Sequence, residues 1–395
     1  MAKRERLRPL RDFLATESAG GILAVGGAVA ALIWVNVAPR SYNSLWSHEL
    51  SISLGHHVLQ LSLKHWVNDG LMALFFLVVG LEIKRELVLG ELRVLRRAAL
   101  PIAAAIGGMV IPAALFAVIN SGTDTSHGWG VPMATDIALA LGVIALLGRH
   151  IVPPSLSLFL LAVAIVDDIG AIVVIAVFYS NGIQVTWLAA AAAMVTLTVL
   201  LRRLRVTAMW PFVAIGLAMW FSLHEAGVHA TIAGVIMGLL APTAAPPGPN
   251  TVSVVERLEH GLHPFTSFLI VPLFAVSNAG IQFDNALLDG VLSSHAFWGV
   301  VIGLVIGKPV GITLASWLAV RAGVAEYPTG VRLAQVGAVG AVAGIGFTVS
   351  LFVSELAFTR ADQLGQAKFG VLIASIVAGL IGVVALRAVA YSKRS

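Results

Sequence analysis

The feature that most limits how this chain can fold is a pair of adjacent aspartates, Asp167 and Asp168. They lie inside residues 157–178, a run that is otherwise apolar apart from Ser157. With a rise of about 1.5 Å per residue, a helix beginning near Ser155 places the pair roughly 18 Å along its length, near the middle of a hydrocarbon core about 30 Å thick. Each carboxylate costs on the order of 3 kcal/mol at that depth, so ionisable groups there usually have a function. The run predicts a membrane helix that helps to move a cation or a proton.

Composition places the whole chain in the membrane class. Of its 395 residues, 58% are hydrophobic and 11% are charged, which excludes a soluble globular chain and a disordered one. With no cysteine, the chain has no disulfide, thiolate chemistry or cysteine-ligated metal. We interpret the net charge of +5 as a consequence of membrane topology rather than as a nucleic-acid surface.

Apolar runs of about 20 residues predict an all-α polytopic protein with about twelve membrane helices in a single domain, residues 1–395. The predicted centres lie near Gly27, Phe75, Met109, Leu141, Val166, Ala193, Gly216, Gly234, Val276, Val305, Ala343 and Ser375. A cytoplasmic N-terminus leaves four basic residues outside: Arg40, Lys64, Arg360 and Lys368. This bias predicts that residues 1–12 and 388–395 are cytoplasmic. Alternatively, the first apolar run is a signal peptide.

Two connections have distinctive patterns. Residues 49–64 alternate with period two on both sides of residues 55–57, which predicts an extracytoplasmic hairpin within residues 45–64. Its open edge suits pairing with a second copy in a homodimer, and an ordinary capping loop is the alternative. Residues 241–250 are rich in proline and precede a charged stretch, so residues 242–262 are predicted to be a cytoplasmic loop leading into a helix.

Two helices are predicted to be interrupted, near residues 132–142 and 337–350. Both contain small residues and hydroxyls, and the first contains Pro132. Unwound backbone at membrane depth occurs only where protein or a wet cavity surrounds it, and paired breaks indicate a transport site. Glycines for close helix packing are the alternative explanation.

Carboxylate and hydroxyl oxygens occur together at the first break, in Thr135 and Asp136. Such hard ligands suit Na⁺ or Li⁺ rather than soft metals. Since burial favours the neutral form of a carboxyl group, protons and Na⁺ are expected to compete for these oxygens. Competition combined with alternating access is sufficient for an antiporter.

The central charges are expected to lie in different surroundings. Asp167 and Asp168 are about 100° apart around a helix, so one can face a wet path while the other faces a neighbouring helix. Lys308 is the one basic residue near the middle of an apolar span, and a carboxylate within about 4 to 6 Å would keep both groups charged. A purely structural ion pair is the alternative role for Lys308.

Titratable residues also cluster at the predicted membrane interface. The first cluster contains Glu82, Lys84, Arg85 and Glu86, and the second contains Glu259, His260 and His263. Because histidine titrates near neutral pH, we hypothesise that these clusters bias the conformation with pH, interfacial anchoring being the alternative. His229 is interpreted as a helix-start residue rather than a ligand.

Several long motifs, in order, resemble the NhaA family of bacterial Na⁺/H⁺ antiporters. They cover residues 68–87 (NDGLMALFFLVVGLEIKREL), 134–142 (ATDIALALG), 166–171 (VDDIGA), 257–260 (RLEH), 262–264 (LHP), 306–309 (IGKP) and 344–350 (GIGFTVS). The resemblance extends from about Phe13 to the last helix. It implies inverted repeats and two broken helices that cross near the membrane centre, with Gly344, Gly346 and Thr348 at the second break.

The resemblance also implies a role for each site residue. Asp168 would be the main Na⁺ ligand with Thr135 nearby, Asp167 would pair with Lys308 and carry a proton, and Asp136 and Lys308 would compensate opposite helix dipoles. The implied pH-regulation residues are Glu82, Arg85, Glu259 and His260, with His229 modulating. Two inward protons would exchange for one outward Na⁺ or Li⁺ at alkaline pH, without a cofactor, in a homodimer of the inner membrane joined by the hairpin.

Three other classes of membrane protein fit the sequence less well. An intramembrane aspartyl protease needs one aspartate on each of two helices, whereas Asp167 and Asp168 are adjacent on one. A proton-coupled symporter for an organic solute would favour an apolar pocket over small oxygen ligands. Lys308 would oppose flow through a cation channel. The sequence therefore predicts a cation/proton exchanger without enzymatic chemistry.

Overall fold

The computed structural model describes residues 8–54, 57–148, 150–180, 182–204, 206, 208–243 and 253–391. Apolar segments form helices because backbone groups inside a membrane must be hydrogen-bonded within the segment. Eight described helices are long and apolar enough to cross a membrane, and a bent pair, Leu333–Ala343 with Phe347–Ala357, makes a ninth. Three further predicted centres fall on helices of 17, 16 and 9 residues, so twelve crossings stay a prediction.

The α-helices alternate with short irregular segments. In chain order they are α1 (Arg8–Val37), α2 (Pro39–Trp46), α3 (Leu63–His65), α4 (Met72–Val88), α5 (Leu95–Ile119), α6 (Ile137–Leu147), α7 (Pro154–Phe178), α8 (Val185–Arg203), α9 (Trp210–Glu225), α10 (Ile232–Leu240), α11 (Val254–Phe265), α12 (Val271–Asn278), α13 (Asn285–Val291), α14 (His295–Ile302), α15 (Lys308–Arg321), α16 (Leu333–Ala343), α17 (Phe347–Ala357) and α18 (Ala361–Tyr391). The 3₁₀ segments are Glu91–Arg93 and Ser126–Met133, and the π-helical segments are Trp66–Leu71, Thr266–Ile270 and Gly303–Gly307.

Residues with alternating polarity form a two-stranded antiparallel sheet between α2 and α3. Strand β1 (Glu49–Leu54) pairs with β2 (His57–Ser62), and Glu49 lies opposite Ser62. Leu50 and Ile52 of β1 are 46% and 48% exposed, so the sheet leaves apolar surface uncovered. The predicted turn residues 55 and 56 lie outside the described residues, as do residues 1–7, 244–252 and 392–395 of the predicted cytoplasmic segments.

The charged stretch after the predicted linker is helical from Val254, so α11 begins inside residues 242–262, which were predicted to be a loop leading into a helix. Ser253 is the N-cap of α11 and accepts the backbone N–H of Glu256, while the Glu256 carboxylate accepts the backbone N–H of Ser253. This reciprocal capping box fixes the start of α11.

Glycines allow the central helices to approach closely. Helices α5 and α15 pack with Gly107 and Gly311 facing each other, and a Cβ added to either would collide with the carbonyl oxygen of the other. Between α4 and α10, a Cβ on Gly234 would collide with the carbonyl oxygen of Ala73. Small residues at helix contacts are the usual means of close packing in membranes, and here they position Lys308, three residues before Gly311.

Both helix breaks fall within the ranges predicted from the sequence. The 3₁₀ segment containing Pro132 is followed by extended residues 134–136 and then by α6, and α16 and α17 meet at residues 344–346 with a bend of 53°. Pro132 cannot donate a backbone hydrogen bond, and a Cβ on Gly344 would lie 2.5 Å from the carbonyl oxygen of Leu304. The breaks contact each other directly, because the Asp136 N–H donates to the Ile345 carbonyl oxygen over 2.7 Å.

Candidate ion-binding site

One carboxylate, that of Asp136, joins the starts of two helices. As the N-cap of α6, its Oδ1 accepts the Leu139 N–H at 3.0 Å. Its Oδ2 accepts the backbone N–H of Thr348 at 3.0 Å and the Thr348 hydroxyl at 2.6 Å, in the first turn of α17. Because a helix N-terminus carries partial positive charge, the buried Asp136 carboxylate compensates two helix ends at once.

A buried cation occupies the opposite end of the first break. The Lys308 ammonium donates to the carbonyl oxygen of Met133, the last residue of its 3₁₀ segment, and to Asp167 Oδ2 at 2.6 Å. Carbonyl ends of helices carry partial negative charge. Lys308 therefore contacts the carbonyl end of one half of the interrupted helix, and Asp136 contacts the N–H end of the other.

The adjacent aspartates do lie in different surroundings. Asp167 and Lys308 are each 1% exposed and form a buried ion pair. Asp168 instead lines a cavity together with Thr135 and Asp136. Their separation of about 100° around α7 accounts for this difference. Asp167 thus binds a fixed cation, whereas Asp168 is the carboxylate of the pair that lines the cavity.

The cavity volume that the centres of water molecules can reach is about 50 Å³. Since one water needs about 10–15 Å³ on this measure, there is room for a few waters or a partly hydrated ion. The polar residues that line it are Glu82, Thr135, Asp136, Asp168, His263, Thr266, Ser267 and Thr348. Oxygen donors of carboxylates and hydroxyls predominate, which is the chemistry that alkali cations prefer.

The two interfacial clusters meet between α4 and α11. Glu82 Oε1 lies 3.8 Å from His263 Nε2, and both residues line the cavity. Arg85 forms an ion pair with Glu259 and also lies 3.5 Å from Glu86. The chain therefore brings four of the predicted regulatory residues together at the end of the cavity away from the hairpin.

Two other histidines were predicted to take part in regulation. His260 is exposed, and its Nδ1 is 2.6 Å from the carbonyl oxygen of Glu256 on the same helix. His229 lies in the turn before α10, three residues ahead of its first residue, with Nε2 2.8 Å from the Tyr179 carbonyl oxygen. Neither lines the cavity among the described residues.

Sequence reasoning missed two hydroxyls and one charge cluster. Thr266 and Ser267 line the cavity from the π-helical segment after α11, and their position in an otherwise apolar span was an available signal. At the hairpin end, Glu355 binds Lys64 at 2.6 Å and also pairs with Lys368. The signals for this cluster were Glu355, the lone acid of α17, and Lys368, a base inside the apolar helix α18.

The fold and site define a polytopic membrane protein with broken helices around buried carboxylates, an arrangement typical of secondary transporters. The family model described as Na⁺/H⁺ antiporter 1 matches residues 11–386. The chain belongs to this family.

Its relatives carry corresponding names. It is 42% identical to the Na⁺/H⁺ antiporter NhaA of Oleidesulfovibrio alaskensis, over 96% of this chain and 94% of that protein. It is 43% identical to the Na⁺/H⁺ antiporter NhaA 2 of Erythrobacter litoralis, over 95% and 93%. It is 45% identical to the Na⁺/H⁺ antiporter NhaA of Shewanella sp. strain ANA-3, over 95% and 96%. The predicted resemblance is thereby confirmed along nearly the whole chain.

Proposed function

We propose that this protein exports Na⁺ or Li⁺ across a bacterial inner membrane in exchange for protons. The observation that carries the proposal is that the two aspartates of α7 have different partners. Asp168 lines the cavity beside Asp136, whereas Asp167 pairs with Lys308. Membership of the Na⁺/H⁺ antiporter family supports the same function and does not favour an organic-solute symporter.

Exchange follows from competition for one set of oxygens. In the proposed cycle Na⁺ binds the Asp168 carboxylate, with Thr135 and its neighbours completing the oxygen ligands, and the proton on Asp168 leaves. Protonation of Asp167 on the other side of the cycle weakens its bond to Lys308, so a second proton moves with each turnover. Two protons in for one Na⁺ out transfers net charge, which makes the exchange electrogenic.

Alternating access needs segments that can move around a fixed site. The unwound residues 134–136 and 344–346 provide such hinges, because few backbone hydrogen bonds must break for the half-helices to shift.

We assign the chain twelve crossings, inverted repeats and cytoplasmic termini, and a homodimer that pairs through β1 and β2. The exposed Leu50 and Ile52 support that pairing, because they leave an apolar face uncovered.

Activation at alkaline pH is assigned to the residues at the cavity end. Glu82 and His263 lie 3.8 Å apart, so the charge of one affects the other. The neighbouring pair of Arg85 and Glu259 joins α4 to α11, so a change in charge there alters how the two helices pack. His260 and His229 would modulate this group from outside it.

Everted membrane vesicles with an acid interior test the proposal. Addition of Na⁺ should dequench a pH-sensitive dye in wild type, and Asp168→Asn should abolish the response because the amide neither carries a negative charge nor exchanges a proton. The matched control is Asp289→Asn, which removes an exposed carboxylate outside the cavity and should behave as wild type. A normal Na⁺ response in Asp168→Asn would refute the site, and no Na⁺ response in folded wild type would refute the function.

A further inference from the structure

The ion cluster at the hairpin end contains Lys64, Glu355 and Lys368, which is one lysine more than a simple ion pair needs. Glu355, in α17, accepts Lys64 through Oε1 at 2.6 Å and accepts Lys368, in α18, through the same oxygen. Two ammonium groups therefore share one carboxylate oxygen. The three side chains carry a net charge of +1 when all are ionised, so one lysine exceeds what Glu355 requires.

The two lysines differ in burial. The Lys368 side chain is 6% exposed and that of Lys64 is 27% exposed, while Glu355 is 13% exposed. If Lys64 leaves, Glu355 keeps a buried cationic partner and the Lys64 ammonium gains water. If Lys368 left, a buried charge would lose its partner, which is strongly unfavourable. The bond to Lys64 is therefore the one that can open and close.

The Lys64–Glu355 bond joins the segment that follows the sheet to α17, the helix that contacts Asp136. Lys64 lies in α3, directly after the sheet, and its helical segment continues into α4. Glu355 lies seven residues after Thr348, which contacts Asp136 in the first turn of the same α17. A movement of α17 about the break at residues 344–346 would be transmitted to both the Asp136 contact and the Lys64 bond.

The cluster and the cavity lie at different positions along the continuous helical segment that runs from α3 into α4. The cavity reaches Glu82, whereas Lys64 lies 18 residues earlier, roughly 27 Å away at the helical rise. Among the described residues, no member of the cluster lines the cavity. The cavity therefore lies away from the cluster, towards Glu82.

We propose that the Lys64–Glu355 ion pair is a latch that holds the outer end of the transport path closed and opens in the outward-facing state. The role of this latch in transport rests on the proposed antiport function, but the labelling experiment that tests the latch does not. Lys64 and Glu355 act through the orientation of α17, so they are positioning residues and not ion ligands.

Accessibility of a thiol beneath the latch tests the proposal. Because the chain has no cysteine, Ser354→Cys introduces a unique thiol, one residue before Glu355 and 0% exposed. In right-side-out vesicles, a membrane-impermeant maleimide should label Ser354→Cys several-fold faster when combined with Lys64→Gln. Lys64→Arg, which retains a cation able to bind Glu355, should restore slow labelling.

Arg360→Gln is the matched charge control. Arg360 lies on the same side of the proposed membrane topology, but its pairs with Asp362 at 2.7 Å and Asp124 at 3.8 Å are exposed. Removing it should leave the labelling of Ser354→Cys unchanged. Thermal unfolding of each variant verifies that faster labelling does not come from a destabilised protein. Equal labelling rates with and without Lys64→Gln, in folded protein, would overturn the latch.

Transport kinetics separate failure of the latch from failure of the antiport function. In everted vesicles, Lys64→Gln should raise the Na⁺ KM by roughly two- to fivefold without lowering kcat, because the apparent affinity falls with the fraction of molecules that face the cytoplasm. An unchanged KM beside a working wild type would contradict the latch alone. Absence of Na⁺-dependent proton movement in wild type would contradict the antiport function, while the labelling result would still decide the latch.

Discussion

Replacing Asp136 by asparagine tests how the two helix breaks are held together. The carboxylate accepts hydrogen bonds from Leu139 N–H, Thr348 N–H and the Thr348 hydroxyl. An asparagine side chain has the same shape, but its NH₂ group accepts no hydrogen bond and it carries no charge. Asp136→Asn should therefore remove the charge at two helix N-termini and deprive one buried donor of its acceptor.

The expected loss can be worked from these contacts. A charge at a partly buried helix terminus contributes up to about 2 kcal/mol, so two ends together contribute about 2 kcal/mol if each is worth about 1. A buried donor without an acceptor costs about 1–3 kcal/mol. The sum, about 3–5 kcal/mol, should lower the Tm of the purified protein by at least about 3 °C, because long chains shift less per kcal/mol than small domains.

Fluorescence-monitored thermal unfolding at one fixed scan rate measures this loss. The matched control is Asp284→Asn, since Asp284 is also an N-cap and accepts one backbone N–H, from Leu287 at 2.8 Å, but is exposed. Asparagine is about as good an N-cap as aspartate, so this control should change Tm little. Equal Tm values for Asp136→Asn and wild type would refute the claim that one carboxylate stabilises both breaks.

Three further substitutions test separate parts of the structure. Asp167→Asn should lower thermal stability by about 3–5 kcal/mol, because it leaves Lys308 buried without its carboxylate partner. It should also alter the number of protons exchanged. A fully stable, normally coupled variant would contradict the pairing. Gly234→Val should prevent folding, since its side chain would collide with backbone. Gly261→Ala, whose Cβ meets no atom within 4 Å, should fold normally as judged by size-exclusion chromatography. A monodisperse Gly234→Val would refute the close contact at Gly234. His263→Gln should shift the pH profile of exchange in vesicles more than His260→Gln, because His263 lines the cavity and His260 is exposed. Equal shifts would contradict the regulatory role proposed for His263.

The sequence predicted the parts of the site where a strong physical constraint leaves few alternatives. Two carboxylates in an apolar helix need polar or charged partners, and their offset of about 100° places Asp167 and Asp168 in different surroundings. A lone lysine at membrane depth must find a carboxylate, which is the contact observed between Lys308 and Asp167. Proline, glycine and hydroxyl residues likewise indicated the two breaks before any contact was known.

Other parts of the site depend on tertiary contacts that no local pattern encodes. Lys64 and Glu355 are 291 residues apart in sequence, and their bond depends on how α17 packs beside α3. The π-helical segment Thr266–Ile270 turns Thr266 and Ser267 towards the cavity, and its extra residue per turn has no clear signal in the sequence. The separation of His260 from His263 likewise follows from which face of α11 meets α4.

The central claim is that Na⁺ and protons compete for the Asp168 carboxylate, and proton release on Na⁺ binding tests it most directly. Purified protein in weakly buffered detergent solution would be mixed with Na⁺, and the released protons measured with a pH dye. Wild type should release protons saturably and Asp168→Asn should release none, with choline as the inactive control cation. Na⁺ binding without proton release, or the same release from folded Asp168→Asn, would contradict it.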